Sequence, residues 1–188
     1  MYTPDATLSD RSPSTTDLLR RLRYAQALHQ CAQALLQSAV EPASQRLALT
    51  AALEHLRAAA DAGRAALFRN FEDPELGFCS GIYAESCAPG IPSSLAGGFA
   101  DRIPWRSVPA VHMRSQAAGL PVGGPTAVVL ADAPAMRQAL LADGILSIQF
   151  FPVHLGAEWW GYIGFDDYNS AREWDEEERL LQRTAVAM

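Results

Sequence analysis

The apolar residues of this 188-residue chain change period twice, from helical to strand-like near Ala65 and back to helical near Trp174. That switch limits the fold class, because a stripe of period 3.6 and an alternation of period 2 bury different faces. Before Ala65, the residues Leu18, Leu22, Ala25, His29, Ala32 and Leu36 recur in alternating steps of four and three. They mark one side of a helix over 16–38, close to a coiled-coil seam. Thr15, Thr16 and Asp17 supply its N-terminal cap chemistry. Pro42 opens a second helix, carried by Leu47, Leu53, Leu56 and Ala60 and closed at Gly63.

Two short apolar runs, 65–71 and 78–84, flank Glu72, Asp73, Pro74 and Glu75 and predict an antiparallel hairpin. Residues 145–154 and 158–166 predict a second hairpin around Gly156. Between the hairpins, 89–125 is rich in Gly and Pro, with a short helix over 110–118. A further helix starts at Asp132 and Pro134 and runs through Ala142 to Gly144. So long an irregular segment inside one compact domain usually serves function. Beyond Trp174, residues Asp175 to Glu178 place acid where a helix dipole favours it.

The order predicts an α+β fold with a central antiparallel sheet of five or six strands. The N- and C-terminal helices share one face, and the loop-helix segment covers the other. The length suits a single domain over 16–188, after a lead-in, 1–15, of disordered composition. The last helix is expected to continue beyond Met188 into an output domain.

Composition sets several functions aside. The formal charge is −6 and no basic face is present, which argues against nucleic acid. Residues 1–13 have no basic-then-apolar leader, and no apolar run is long enough to span a bilayer. Cys31, Cys79 and Cys87 are sparse and odd in number, as reduced cytoplasmic thiols are. The chain is therefore expected to be cytoplasmic, without membrane contact. His29, His55, His112 and His154 show no paired metal spacing, and the Gly-Gly pairs at 97–98 and 123–124 follow no strand-to-helix pattern.

Residues 152–185 carry a more specific pattern. Pro152, Gly156, Trp160, Gly161, Phe165, Asp166, Asp167 and Trp174 stand where GAF domains have a strand-ending Pro, a Gly turn, a Trp-Gly strand ending in Phe-Asp-Asp, and an aromatic before an acidic helix. The front half resembles the same family through an Ala-rich helix followed by ALFRNFEDP. The resemblance covers roughly 20–188. It implies a GAF fold, a relative of the PAS fold, and a regulatory input domain placed ahead of a histidine kinase, a diguanylate cyclase or a PAS module.

Within that resemblance, subclasses are tested by residue. Bilin-binding members attach pigment through a Cys next to a His; Val111 precedes His112 here, so a covalent bilin at that site is not expected, and no cofactor is assigned beyond an unidentified small-molecule ligand. Cyclic-nucleotide members carry Asn-Lys, Phe and Asp-Glu, of which Asn169, Ser170, Trp174, Glu178 and Arg179 keep only the Asn. Free methionine sulfoxide reductases use close thiols, and the spacing of Cys79 and Cys87 does not match. No catalytic residue or metal ligand is assigned.

A ligand cavity joins apolar walls to a few polar groups. Ser147, Gln149 and Phe151 form such a mixed set on one strand, and Trp160, Tyr162, Gly164 and Asp166 on the next. Leu146, Ile148 and Phe150 are wholly apolar and suit the terminal helices. The candidates for the pocket are thus Phe78, Tyr83, Trp105, His112, Met113, Ser147, Gln149, Phe151, Trp160 and Tyr162. The stripe Leu18, Leu22, Ala25, His29, Ala32 and Leu36 is expected to pair with a second copy. The chain is read as a small-molecule sensor relaying through its terminal helices, with a ligand-free dimerisation scaffold as the alternative.

Overall fold

The computed structural model describes residues 14–37, 41–95 and 100–186. Of the expected lead-in over 1–15, residues 1–13 lie outside them, while Ser14 and Thr15 cap and begin the first helix. Helices α1 (Thr15–Leu36) and α2 (Pro42–Ala59) precede strands β1 (Arg64–Asp73) and β2 (Gly77–Cys87). Between the hairpins, the two expected helices stand as α3 (Ala110–Ala117) and α5 (Pro134–Ala142), and the chain expected as loop also holds β3 (Ile103–Pro104), a 3-10 turn (Trp105–Ser107), β4 (Val122–Pro125) and α4 (Thr126–Val129). Strands β5 (Ser147–Leu155) and β6 (Glu158–Asp167) lead to α6 (Glu176–Val186). Gly123 and Gly124 thus stand in a strand followed by one helical turn, contrary to the sequence expectation.

The six strands form one sheet in the order β3-β2-β1-β6-β5-β4, each neighbour antiparallel. Both hairpins are local, and β6 joins them by pairing with β1 from Arg64↔Asp166 to Arg69↔Gly161. Gly156 turns the second hairpin at a φ of 63°, a conformation that favours glycine. Gly161 has no alternative either: a Cβ there would strike the Phe68 carbonyl on the neighbouring strand.

The two terminal helices and α2 cover one face. Tyr24, Ala27 and Cys31 of α1 pack with Leu53 and Leu56 of α2, Ala65 and Leu67 of β1, and Phe151 and Phe165 of the second hairpin. Leu181 and Val186 of α6 join the same core. Tyr24, Ala27 and Cys31 form the inner face of α1, so the stripe with Leu18, Leu22 and Leu36 faces outward. Leu18, Leu22 and Leu36 are half or more exposed. The cap of α1 also differs: Ser14, one residue earlier than expected, forms a capping box with Asp17.

Among the described residues, no helix is long and apolar enough to cross a membrane, and no cluster of three or more His, Cys, Asp or Glu could hold a metal ion.

Burial in the helical core pushes the Cys31 thiol up to about 11 from 9.0 and the Tyr24 phenol up to about 12 from 10.0. Both groups hold their protons more tightly folded than unfolded. Their contribution is therefore complete below pH 9 and is lost as pH climbs through 11 and 12. Urea midpoints should fall steeply between pH 9 and 11, with Cys31 alone supplying about 2–3 kcal/mol. Cys31→Ala should flatten that slope, and an unchanged slope would show that Cys31 does not carry it.

Candidate functional site

The opposite face of the sheet presents Arg64, Ala66 and Phe68 on β1, Ile148 and Phe150 on β5, and Tyr162, Gly164 and Asp166 on β6. Residues 102–140 arch over it and leave a cavity of about 590 Å³. That volume is within the range of small-molecule sites. Phe68, Phe150 and Tyr162 form its floor, and Trp105, Met136 and Leu140 stand around it.

The floor is a fixed aromatic assembly. Phe68 stacks on Tyr162 with centroids 4.5 Å apart, and Trp105 and Phe150 meet Tyr162 edge-on at 5.6 and 5.3 Å. The Trp105 indole donates to Asn70 Oδ1 at 3.0 Å, while Asn70 Nδ2 donates to the Trp159 carbonyl at 3.1 Å. The hydroxyls of Tyr162 and Ser80 lie 3.1 Å apart. Burial pushes the Tyr162 phenol well above its ordinary range, so it stays neutral.

Besides the Ser107 hydroxyl, which donates to the Pro104 carbonyl at 2.7 Å, four polar or charged side chains at the lining bear on ligand chemistry. Arg102 is paired with Asp73 at 3.2 Å and lies toward solvent. His112 is half-buried, and burial lowers its pKa, which favours the neutral imidazole at pH 7. Gln116, one helical turn further along α3, donates from Nε2 to the Phe150 carbonyl at 3.2 Å. Asp166 is buried against Arg64, whose Nε and Nη2 both lie 2.6 Å from Oδ2. Burial pushes the Asp166 carboxyl up against the pull of that guanidinium. Burial also opposes the charge on Arg64, but the carboxylate outweighs it and raises the Arg64 pKa.

Of the residues singled out from sequence, Trp105, His112 and Tyr162 line the cavity. Met113 packs into the aromatic cluster behind it, and Phe78 stacks on Trp105 at its outer edge. Tyr83, Phe151 and Trp160 lie on the helical face instead, where Trp160 meets Tyr83 edge-on at 5.9 Å.

Two physical features explain the difference. A bulge in the β5–β6 ladder, between Val153 and His154, breaks the alternation. Trp159 therefore joins the cavity cluster and Trp160 the helical core. On β5, alternation groups residues by face without saying which face meets the helices. The mixed set Ser147, Gln149 and Phe151 pairs opposite Asp167, Phe165 and Ile163, on the helical side. The Ser147 hydroxyl donates to the Arg172 carbonyl at 2.8 Å, satisfied by the chain before α6. The apolar pair Ile148 and Phe150 faces the cavity. Sequence reasoning also missed Phe68 and the α5 wall; the only sequence signal for them was apolar spacing, which core packing produces equally well.

No family model matches the chain, and no curated protein matches it in sequence. Solved structures do resemble it. The chromophore-binding domain of Stigmatella aurantiaca bacteriophytochrome superposes with a TM-score of 0.66 at 14% identity, covering 94% of this chain. This chain spans 61% of that domain. The phycoerythrobilin-bound GAF domain of a cyanobacterial phytochrome gives 0.68 at 16% identity, covering 88% of this chain and 92% of that one. The fold is that of a GAF domain. A phycocyanobilin-bound GAF domain of a cyanobacterial phytochrome agrees, at 0.65 and 18% identity, covering 87% of this chain and 92% of that one.

These GAF structures correct one expectation. Val111 before His112 argues against a covalent bilin at that position and no cofactor is expected from sequence, yet GAF domains of this shape are described with bound phycoerythrobilin and phycocyanobilin. The sequence test asked about one attachment position. The cavity of this GAF fold is built by the sheet, α3 and α5, and its size does not depend on that position.

Proposed function

We propose that this GAF domain is a sensory module whose cavity takes a planar, largely apolar small molecule. The 590 Å³ aromatic-floored cavity carries the reading. Bilins, named with the similar GAF structures, are the first class to test. Stacked and edge-on rings would hold such a ligand's conjugated plane, and Arg102 and His112 at the lining suit its polar groups. Cys31, Cys79 and Cys87 lie elsewhere. Titration with biliverdin, followed by pigment absorbance and Trp emission, should saturate at one per chain. Ala139→Trp projects an indole from α5 into the cavity and should weaken uptake at least tenfold with little change in melting temperature. Uptake unaffected by that substitution would place the pigment elsewhere, and its complete absence in the wild type would remove bilins.

Occupancy would be relayed to an output domain through α1 and α6, which touch directly. Arg20 pairs with Asp175 at 2.7 Å and Arg21 with Glu177 at 2.5 Å. A relay requires two helix arrangements that bind the ligand unequally. The same helices would join two copies, for Leu18, Leu22 and Leu180 leave an apolar strip exposed on their outer side. Light scattering across a concentration series should give a dimer, reduced to the 20.3 kDa monomer by Leu18→Asp with Leu22→Asp. A wild-type monomer at high concentration would contradict the pairing.

A thiol-based reductase receives less support. Cys79 and Cys87 are eight residues apart on β2, roughly 25 Å at strand rise, whereas a disulfide needs Cα atoms within about 7 Å.

A further inference from the structure

The cavity lining carries two side-chain oxygens to which no described residue donates, Gln116 Oε1 and Asp166 Oδ1, and only the second belongs to a charged group. Both Arg64 nitrogens converge on Oδ2 of Asp166. Among the described residues, none donates a hydrogen bond to Oδ1. Asp166 is only 5% exposed, and it borders the cavity. A carboxylate oxygen that borders a cavity without a protein donor is normally satisfied by water or by a ligand.

The surroundings set the sign of what it accepts. Glu85 lies on the same face of β2, two residues before Cys87, which pairs with Arg64. It receives the Ser93 hydroxyl and the backbone N–H of Ser94 and Leu95, at 3.3 and 3.1 Å for the latter two. Arg64 donates from Nη1 to Ser94 as well. One guanidinium therefore stands among two carboxylates, leaving this end of the cavity electronegative. A ligand carboxylate or phosphate is repelled here, and an N–H or a protonated amine is attracted.

The geometry points to Asp166 Oδ1 as the ligand's polar anchor, selecting planar molecules that carry an N–H donor at the end nearest β6. This rests on the cavity being the ligand site. The remaining lining near the floor is aromatic and apolar, so the donor supplies orientation while the rings supply most of the contact.

Carbazole and dibenzofuran make a matched pair of probes, the same three-ring plane with N–H in one and ether oxygen in the other. Fluorescence titration should find carbazole bound about 10- to 100-fold more tightly, the usual worth of a hydrogen bond to a charged group. In Asp166→Asn the amide oxygen keeps the Arg64 donors and turns its NH₂ toward the cavity, so the preference should vanish or reverse. A second reading needs no variant: the N–H proton of bound ¹⁵N-carbazole should move downfield in the wild-type complex. Equal affinities in the wild type, or a carbazole preference that survives Asp166→Asn, would overturn the anchor while leaving the cavity as a site. Failure of both probes to bind would overturn the cavity reading and the anchor with it.

Discussion

Arg64→Leu should destabilise the fold by about 3–5 kcal/mol, because it strands the Asp166 carboxylate inside the sheet. The two side chains are 8% and 7% exposed, so little solvent is at hand to replace the guanidinium. Removing both partners is a different experiment. Arg64→Leu with Asp166→Leu deletes the charges together and should cost much less, with Glu85 still held by its Ser93, Ser94 and Leu95 donors. Urea unfolding of the two single variants and the double variant measures the coupling. A single Arg64 loss within about 1 kcal/mol of wild type would mean that water reaches Asp166, and the anchor chemistry would then be that of an exposed carboxylate.

Trp174→Ala is expected to cost about as much, 3–5 kcal/mol, and to loosen α6 first. Trp174 is 1% exposed and stands one residue before the acidic start of the helix. The Arg172 guanidinium lies 4.8 Å over its ring. Arg172 also pairs with Asp167 at the end of β6, at 2.6 Å, and donates to the Ala60 carbonyl at the end of α2, at 2.8 Å. These contacts fasten α6 to both the sheet and the helical layer. Loss of the ring leaves a large void, and Arg172 loses its stacking surface. Hydrogen exchange should accelerate in 176–186 before the sheet loosens. Uniform acceleration across the domain would instead mean that α6 and the sheet open as one unit, leaving no independent relay element.

The parts of the fold legible in the sequence are those with strong periodicity. Two hairpins, the long first helix and the α5 helix appear close to their expected limits, since each carries an unbroken period over several turns or strand repeats. Apart from α3, expected over 110–118, the short elements in 103–129 were not legible. β3 has two residues and α4 has four, too few for a period to register, and β4 reads as Val-Gly-Gly-Pro. The face of Trp160 was hidden for a different reason: the bulge next to it reverses the alternation, and no single residue type announces a bulge.

The candidate site was partly legible. Trp105 and His112 drew notice as large side chains in a Gly- and Pro-rich segment, and both reach the cavity. Ser147 and Gln149 drew notice as polar residues among apolar ones, but buried polar groups serve backbone as readily as ligand. Asp166 stood in the mixed set of its strand. Its pairing with Arg64, across 102 residues of chain, depends on the β1–β6 register, which no local pattern encodes.

The four tryptophans test directly whether the cavity is the ligand site. Trp105 and Trp159 belong to the cavity cluster, whereas Trp160 joins the helical core and Trp174 is buried under Arg172, which bonds the end of α2. Indole N–H signals of the ¹⁵N-labelled chain, recorded during titration with biliverdin and with carbazole, report all four at once. Binding in the cavity predicts the largest shift at Trp105, with Trp159 following and smaller shifts at Trp160 and Trp174. Shifts confined to Trp160 and Trp174, or no shift at Trp105 at saturating concentrations of either molecule, would contradict it.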